Sequence, residues 1–142
     1  MKKSLFGALL AFTALCACNT NKENTTLKTA DLTGAWNITE VKGLSTDSAE
    51  TLPFIHFTDS GTINGNASVN TFFGRFISNG DSLNLYDMGA TMMMGRSMDL
   101  EMAIMQAMEQ CTTIEIVDSV LYVKDAEGNR IMTLERNNAL AL

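Results

Sequence analysis

Between Ala35 and Arg136 the pattern of apolar residues changes period only once, and that restricts the folds open to the chain. "AWNITEVKG" alternates, with Trp36 and Ile38 on one face against Asn37 and Thr39 on the other. "PFIHF", "TINGN", "FFGRFIS" and "SLNLYDM" follow, and "TIEIV", "VLYVKD" and "RIMTLER" complete the series. Turn residues punctuate them: "TDSG", "NGD", Asp118-Ser119 and "DAEGN". The reading is mainly β (α+β), with about eight antiparallel strands and no repeat.

The single break lies between "LYDM" and "TIEIV". Ser97 stands at an N-cap position, and Asp99 and Glu101 occupy the first turn, where the helix dipole favours acids. At 100° per residue, Leu100, Ala103, Ile104, Ala107, Met108 and Cys111 gather on one side. Met98, Met102 and Met105 gather on nearly the opposite side. A surface helix needs one apolar stripe, and this one carries two. The second is expected either to lie under the preceding segment or to face solvent as a contact surface. In "TMMMG", Met92 and Met94 would share a strand face.

The N-terminal end has a different character. Lys2 and Lys3 precede an apolar run, Leu5–Leu15, too short for the ~20 residues that span a bilayer and suited to an export signal. "LCAC" resembles the lipobox of bacterial lipoproteins. It places Ala17 at the cleavage position and makes Cys18 the acylated residue. Residues 1–17 are then a signal peptide and 18–30 a polar tether. Residues 31–137 form the domain, and 138–142 a C-terminal tail. Diacyl and N-acyl chains on Cys18, of the palmitate type, would hold the chain at the membrane, each buried CH₂ contributing roughly 0.8 kcal/mol. Asn19 follows Cys18 where an inner-membrane retention signal would have aspartate, which points to the outer membrane of a Gram-negative cell envelope.

The formal charge is −6 and loses Lys2 and Lys3 on processing, so nucleic acid is not an expected partner. With Cys16 removed and Cys18 acylated, Cys111 is left alone and no disulfide framework is available.

Four ordered segments resemble the META/HslJ-like domain: "LTGAWNITEVKG", "INGNASVNTFFGRF", "GATMMMGRSMDLEMAIMQAM" and "LYVKDAEGNRIMTLER". The resemblance spans Leu32 to Arg136. It implies an open or cracked barrel with one helix packed across it, and an envelope, stress-response or secretion-related role without established catalysis. Gly65, Asn70 and Gly74 match one family motif; Thr91, Met94 and Glu101 match the other. Val69 and Gly95 stand where many members carry cysteine, so thiol chemistry at the motif is not expected here.

The residues offer little to an enzyme. His56 is the only histidine, and neither a nucleophile elbow nor a phosphate-binding glycine run is present. No cofactor is expected. "DAEGN" lacks the spacing of a calcium loop, and zinc would have only His56 and Cys111. Three functions stay open. The first is a non-enzymatic envelope lipoprotein that binds or supports another envelope protein. The second is a carrier or sensor of a small hydrophobic ligand, with Phe72, Phe73, Phe76, Leu83, Leu85 and Tyr86 as apolar bulk. The third is Cu(I) binding by Met98, Met102 and Met105, since thioethers suit soft ions.

Overall fold

Alternation along the strands decides which side chains the sheet can bury. In Thr71–Asn79, the odd positions Thr71, Phe73, Arg75 and Ile77 face outward while Phe72, Gly74 and Phe76 face in. The computed structural model describes residues 27–140. Its elements are α1 (Thr29–Leu32), β1 (Gly34–Val41), β2 (Leu44–Ser45), β3 (Phe54–Phe57), β4 (Thr62–Asn66), β5 (Thr71–Asn79), β6 (Ser82–Ala90), α2 (Met98–Gln110), β7 (Thr113–Val117), β8 (Val120–Lys124) and β9 (Arg130–Arg136), then a 3-10 turn at Asn138–Leu140.

All nine strands lie in one antiparallel sheet, ordered β2-β1-β3-β4-β5-β6-β7-β8-β9. β1 also pairs with β9, from Trp36↔Arg136 to Val41↔Met132, which bends the sheet into a ring. Eight of these strands fall on the eight segments expected from sequence. The ninth, β2, is two residues long and lies beside β3 on the same edge of β1. The thinnest seam is β6–β7, with the single register pair Ser82↔Thr113, and α2 is the chain segment that connects those two strands.

Apolar residues from every face of the ring meet inside it. Trp36, Ile104 and Leu121 are fully buried, and the rings of Phe57 and Phe76 meet edge-on at 5.1 Å. Trp36 Nε1 donates to Leu32 O at 2.8 Å, and the Arg136 guanidinium lies 4.1 Å from the Trp36 ring centre. The void among Phe57, Leu83, Leu85, Met108, Leu121 and Met132 amounts to about 10 Å³. That is the room of a single water, not of a lipid.

The buried stripe of α2 matches the periodicity: Leu100, Ile104, Ala107 and Met108 face the core, with Cys111 just beyond the helix. The other stripe is partly covered, with Met105 packed against the core. Met98 and Met105 are half-buried and Met102 is exposed. Met92–Met94 are irregular rather than strand, so no shared strand face exists there. Phe73 differs from the interior role expected of it, because its register on β5 turns it outward.

Two boundaries also shift. Leu27 packs against the core, and Thr29–Leu32 form a helical turn tied to β5 through Thr29 Oγ1 and Ser78 Oγ at 2.8 Å. The last residues assigned to the tether therefore belong to the fold. At the other end, the Asn138–Leu140 turn begins the segment assigned to the tail and packs near β1. The signal segment 1–17 and Cys18 lie outside the described residues.

Candidate functional site

"NASVN", between β4 and β5, is too polar to bury unless each of its groups finds a partner. Asn66 Oδ1 accepts from Ser68 N at 2.8 Å, and Ala67 N donates to Asn70 O at 2.8 Å, which closes the loop on itself. Ser68 takes a φ of +102°, a region L side chains rarely visit. Its hydroxyl accepts from Glu50 N at 3.1 Å and its carbonyl from Thr51 N at 3.2 Å, so neighbouring chain holds the strained residue.

This curled loop turns two backbone N–H groups toward α2. Val69 N donates to Glu101 Oε2 at 3.1 Å and Asn70 N to the same oxygen at 2.6 Å. Asn70 Nδ2 donates to Glu101 Oε1 at 2.6 Å. Glu101 is thus a buried carboxylate held by three N–H donors with no cation in contact; among the described residues both ion pairs belong to Glu115. An acid in the first turn of a helix suggests a dipole or capping role. The structure instead turns Glu101 inward, across to residues 31 and 32 positions earlier.

Asn70 carries the network onward. Its Oδ1 accepts from Met93 N at 2.6 Å and from Thr91 Oγ1 at 2.8 Å, while its Nδ2 also donates to Met93 O at 2.9 Å. The side-chain amide pairs with the Met93 peptide as a neighbouring strand would. Thr91 Oγ1 in turn accepts from Thr71 N at 3.2 Å. Among the described residues no buried side-chain nitrogen or oxygen lacks a partner.

Of the six motif residues, the structure brings Asn70, Thr91 and Glu101 into direct contact. Gly65 lies on the adjoining strand, where a Cβ would strike Phe54 O and the Phe72 ring, so the closeness of β3, β4 and β5 depends on its bare backbone. Gly74 is a separate close approach, with Met88 Sδ and Tyr86 O where its Cβ would be. Met94 makes no part of the node and is 86% exposed. Met98, Met102 and Met105 do not join it either: Met102 is exposed, and half-buried Met105 packs against the core.

Sequence reasoning missed Glu50. Its Oε1 accepts from Ser97 N at 3.0 Å and from Arg96 N, doing for the start of α2 what the Ser97 hydroxyl was expected to do. Ser97 holds the N-cap position, but its hydroxyl is directed to Ser48 O at 3.5 Å. An open groove of about 770 Å³ runs alongside, lined by Leu44, Ser48, Glu50, Arg96 and Asp99. Nothing local announces the Glu50 contact, which spans 47 residues to Ser97. The Asn66–Ser68 turn, by contrast, has a visible signal in its Asn-x-Ser spacing.

The arrangement is a latch. One buried acid and one buried amide tie the β4–β5 loop, the β6–α2 connection and the first turn of α2 into one rigid end. Beside it, Met92–Met94 project with their side chains in solvent. Every polar atom at the node is engaged inside the protein. His56, the remaining candidate acid–base group, is half-buried on β3 and has no part in the node.

Comparison with known proteins agrees with this architecture. No curated protein matches the chain. Among solved structures, one NMR structure is similar at a TM-score of 0.63 and 17% identity, over 78% of this chain and 95% of that one. An NMR structure of a protein from Burkholderia xenovorans matches at 0.57 and 14%, over 97% of this chain and 99% of that one. A DUF4847 family protein from Bacteroides vulgatus matches at 0.55 and 14%, over 74% and 93%. At such identities the likeness is one of fold. The META domain model covers residues 26–138, so most of the chain, the latch included, lies within the match. The chain belongs to the META domain family.

Proposed function

We propose that this META domain protein is a lipid-anchored component of the bacterial envelope, attached through Cys18, that acts by presenting a fixed surface to another envelope protein rather than by catalysis. Work under envelope stress is the setting the proposal assigns. The observation that carries it is the state of Glu101. It is the one buried carboxylate among the described residues, and its oxygens are occupied by Val69 and Asn70. General acid–base work needs a group within reach of substrate, and this one is spent on holding the fold.

The latch supports the positive half of the reading as well. It fixes the end of the molecule that carries Met92, Met93 and Met94, and a pre-ordered surface binds without a large ordering cost. α1 lies at the opposite end of β5 from the latch, about 25 Å away by strand rise. The first described residues therefore lie at the end of β5 away from the methionine tip. A carrier of hydrophobic ligands is less well supported, since the interior void is only about 10 Å³.

Two measurements test the proposal. Cells fed labelled palmitate should incorporate label into the wild-type chain and none into Cys18→Ala; equal labelling removes the anchor. Crosslinking in intact cells should join the Met102 face or the methionine tip to one reproducible envelope partner that Met102→Glu or Met94→Glu loses. An unchanged crosslink pattern in both variants removes the contact surface.

A further inference from the structure

The described methionines run between two extremes of exposure, with Met88, Met98 and Met105 half-buried between them. Met108 and Met132 are 2% and 4% exposed, whereas Met92, Met93, Met94 and Met102 are 95%, 58%, 86% and 56% exposed. Three consecutive thioethers in solvent gain almost nothing from burial, so core filling does not account for them. The backbone beneath them is nevertheless held. Met93 exchanges two hydrogen bonds with the Asn70 amide, at 2.6 and 2.9 Å, and Thr91 N donates to Thr71 O at 3.0 Å. Side chains that contribute little to the core are thus mounted on a main chain that does not depend on them.

Competing sulfur chemistry is suppressed. Cys111, the free cysteine of the described residues, is buried next to α2, and burial pushes its thiol up to about 12. Thiolate, the form that oxidants attack, is scarce there at neutral pH. Thioether sulfur needs no deprotonation, only access.

We propose that Met92–Met94, joined by Met102, form a site of reversible oxidation, taking oxygen from peroxide-class oxidants while the fold stays intact. A lone pair on the methionine sulfur attacks one peroxide oxygen. The O–O bond breaks, the S–O bond forms, and the proton on the attacked oxygen passes through solvent to the departing oxygen, which leaves as water or an alcohol. Sulfur is oxidised by two electrons and the peroxide is reduced by two. Return requires a thiol-dependent methionine sulfoxide reductase, which removes the oxygen as water while two thiols become a disulfide. Each cycle converts an apolar tip into a polar one and back. The inference stands apart from the anchor and partner readings, because it needs only the described fold.

The test is limiting hydrogen peroxide on the purified full chain, followed by peptide mass mapping and thermal melting. Met92 and Met94 are expected to gain oxygen first, with Met93 and Met102 next. All four should react about tenfold or more faster than Met108 and Met132. The melting midpoint should not move until the buried pair reacts. Treatment with sulfoxide reductases for both sulfur epimers and a dithiol should restore the starting mass. The variant Met92→Leu/Met94→Leu should melt like wild type and lose the fast phase of uptake. Equal rates across all methionines, a midpoint that falls with the first oxygens, or a fast phase that survives in the double variant would each overturn the proposal.

Discussion

Glu101→Gln changes one atom and almost no volume, yet it sets two donors against each other. The carbonyl of the substituted side chain can still accept from Val69 N and Asn70 N, now as a neutral acceptor. Its NH₂ then faces Asn70 Nδ2, which sits 2.6 Å from that position. Asn70 cannot turn its amide over, because its Oδ1 already accepts from Met93 N and Thr91 Oγ1. Leaving one buried donor unsatisfied costs about 1–3 kcal/mol, and weakening charge-assisted bonds adds about 1 more. A total near 3 kcal/mol corresponds to a melting point lower by about 10–20 °C in a domain of this size. Urea denaturation followed by far-ultraviolet circular dichroism measures it, with Glu115→Gln as a control at a pair-forming surface acid, expected to cost less than about 1 kcal/mol. A carboxylate kept for chemistry at the expense of the fold gains stability when replaced. A Glu101→Gln protein as stable as wild type to within ~0.5 kcal/mol, or more stable, refutes the latch.

Other outcomes follow from the same geometry. Gly65→Ala places a methyl group against Phe54 O and 2.6 Å from the Phe72 ring, and should cost about 3 kcal/mol or more in the same denaturation assay. Cys111 should resist iodoacetamide at pH 8 in the native protein and react at once in denaturant, as followed by mass; rapid native labelling would contradict its burial. The Lys124 and Arg130 side chains hold Glu115 below the ordinary carboxylate value of 4.5. A lowered folded pKa means the contribution is complete above 4.5 and is lost as pH falls through the lowered value. Glu115→Gln should therefore narrow the stability gap to wild type only in that acidic range, by a small surface-pair amount read from denaturation at pH 3 and pH 7.

Much of the scaffold was written locally. The eight alternating segments, the start of α2 after Ser97 and most of its buried stripe follow from period and turn chemistry, which act within a few residues. What escaped depends on distance along the chain. Glu101 reads as a dipole partner because helix position is local information, whereas its true partners lie across the β4–β5 loop. Glu50 caps α2 from the β2–β3 connection, and no spacing rule links those segments. Period also fixes that Met98, Met102 and Met105 share a side, but not whether another layer covers them. Phe73 faces outward because the strand register, shifted between Phe73 and Arg75, decides sidedness, and an aromatic residue alone does not. The early start of the fold at Leu27 and α1 was hidden by polar composition, although Leu27 was the one large apolar residue there.

Amide hydrogen exchange at Val69, Asn70 and Met93 tests the central claim most directly. If these loop N–H groups are locked by Glu101 and Asn70, they exchange as slowly as amides of β4 and β5, and Glu101→Gln speeds all three together. Exchange of the wild-type amides at the rate of an exposed loop would contradict the account.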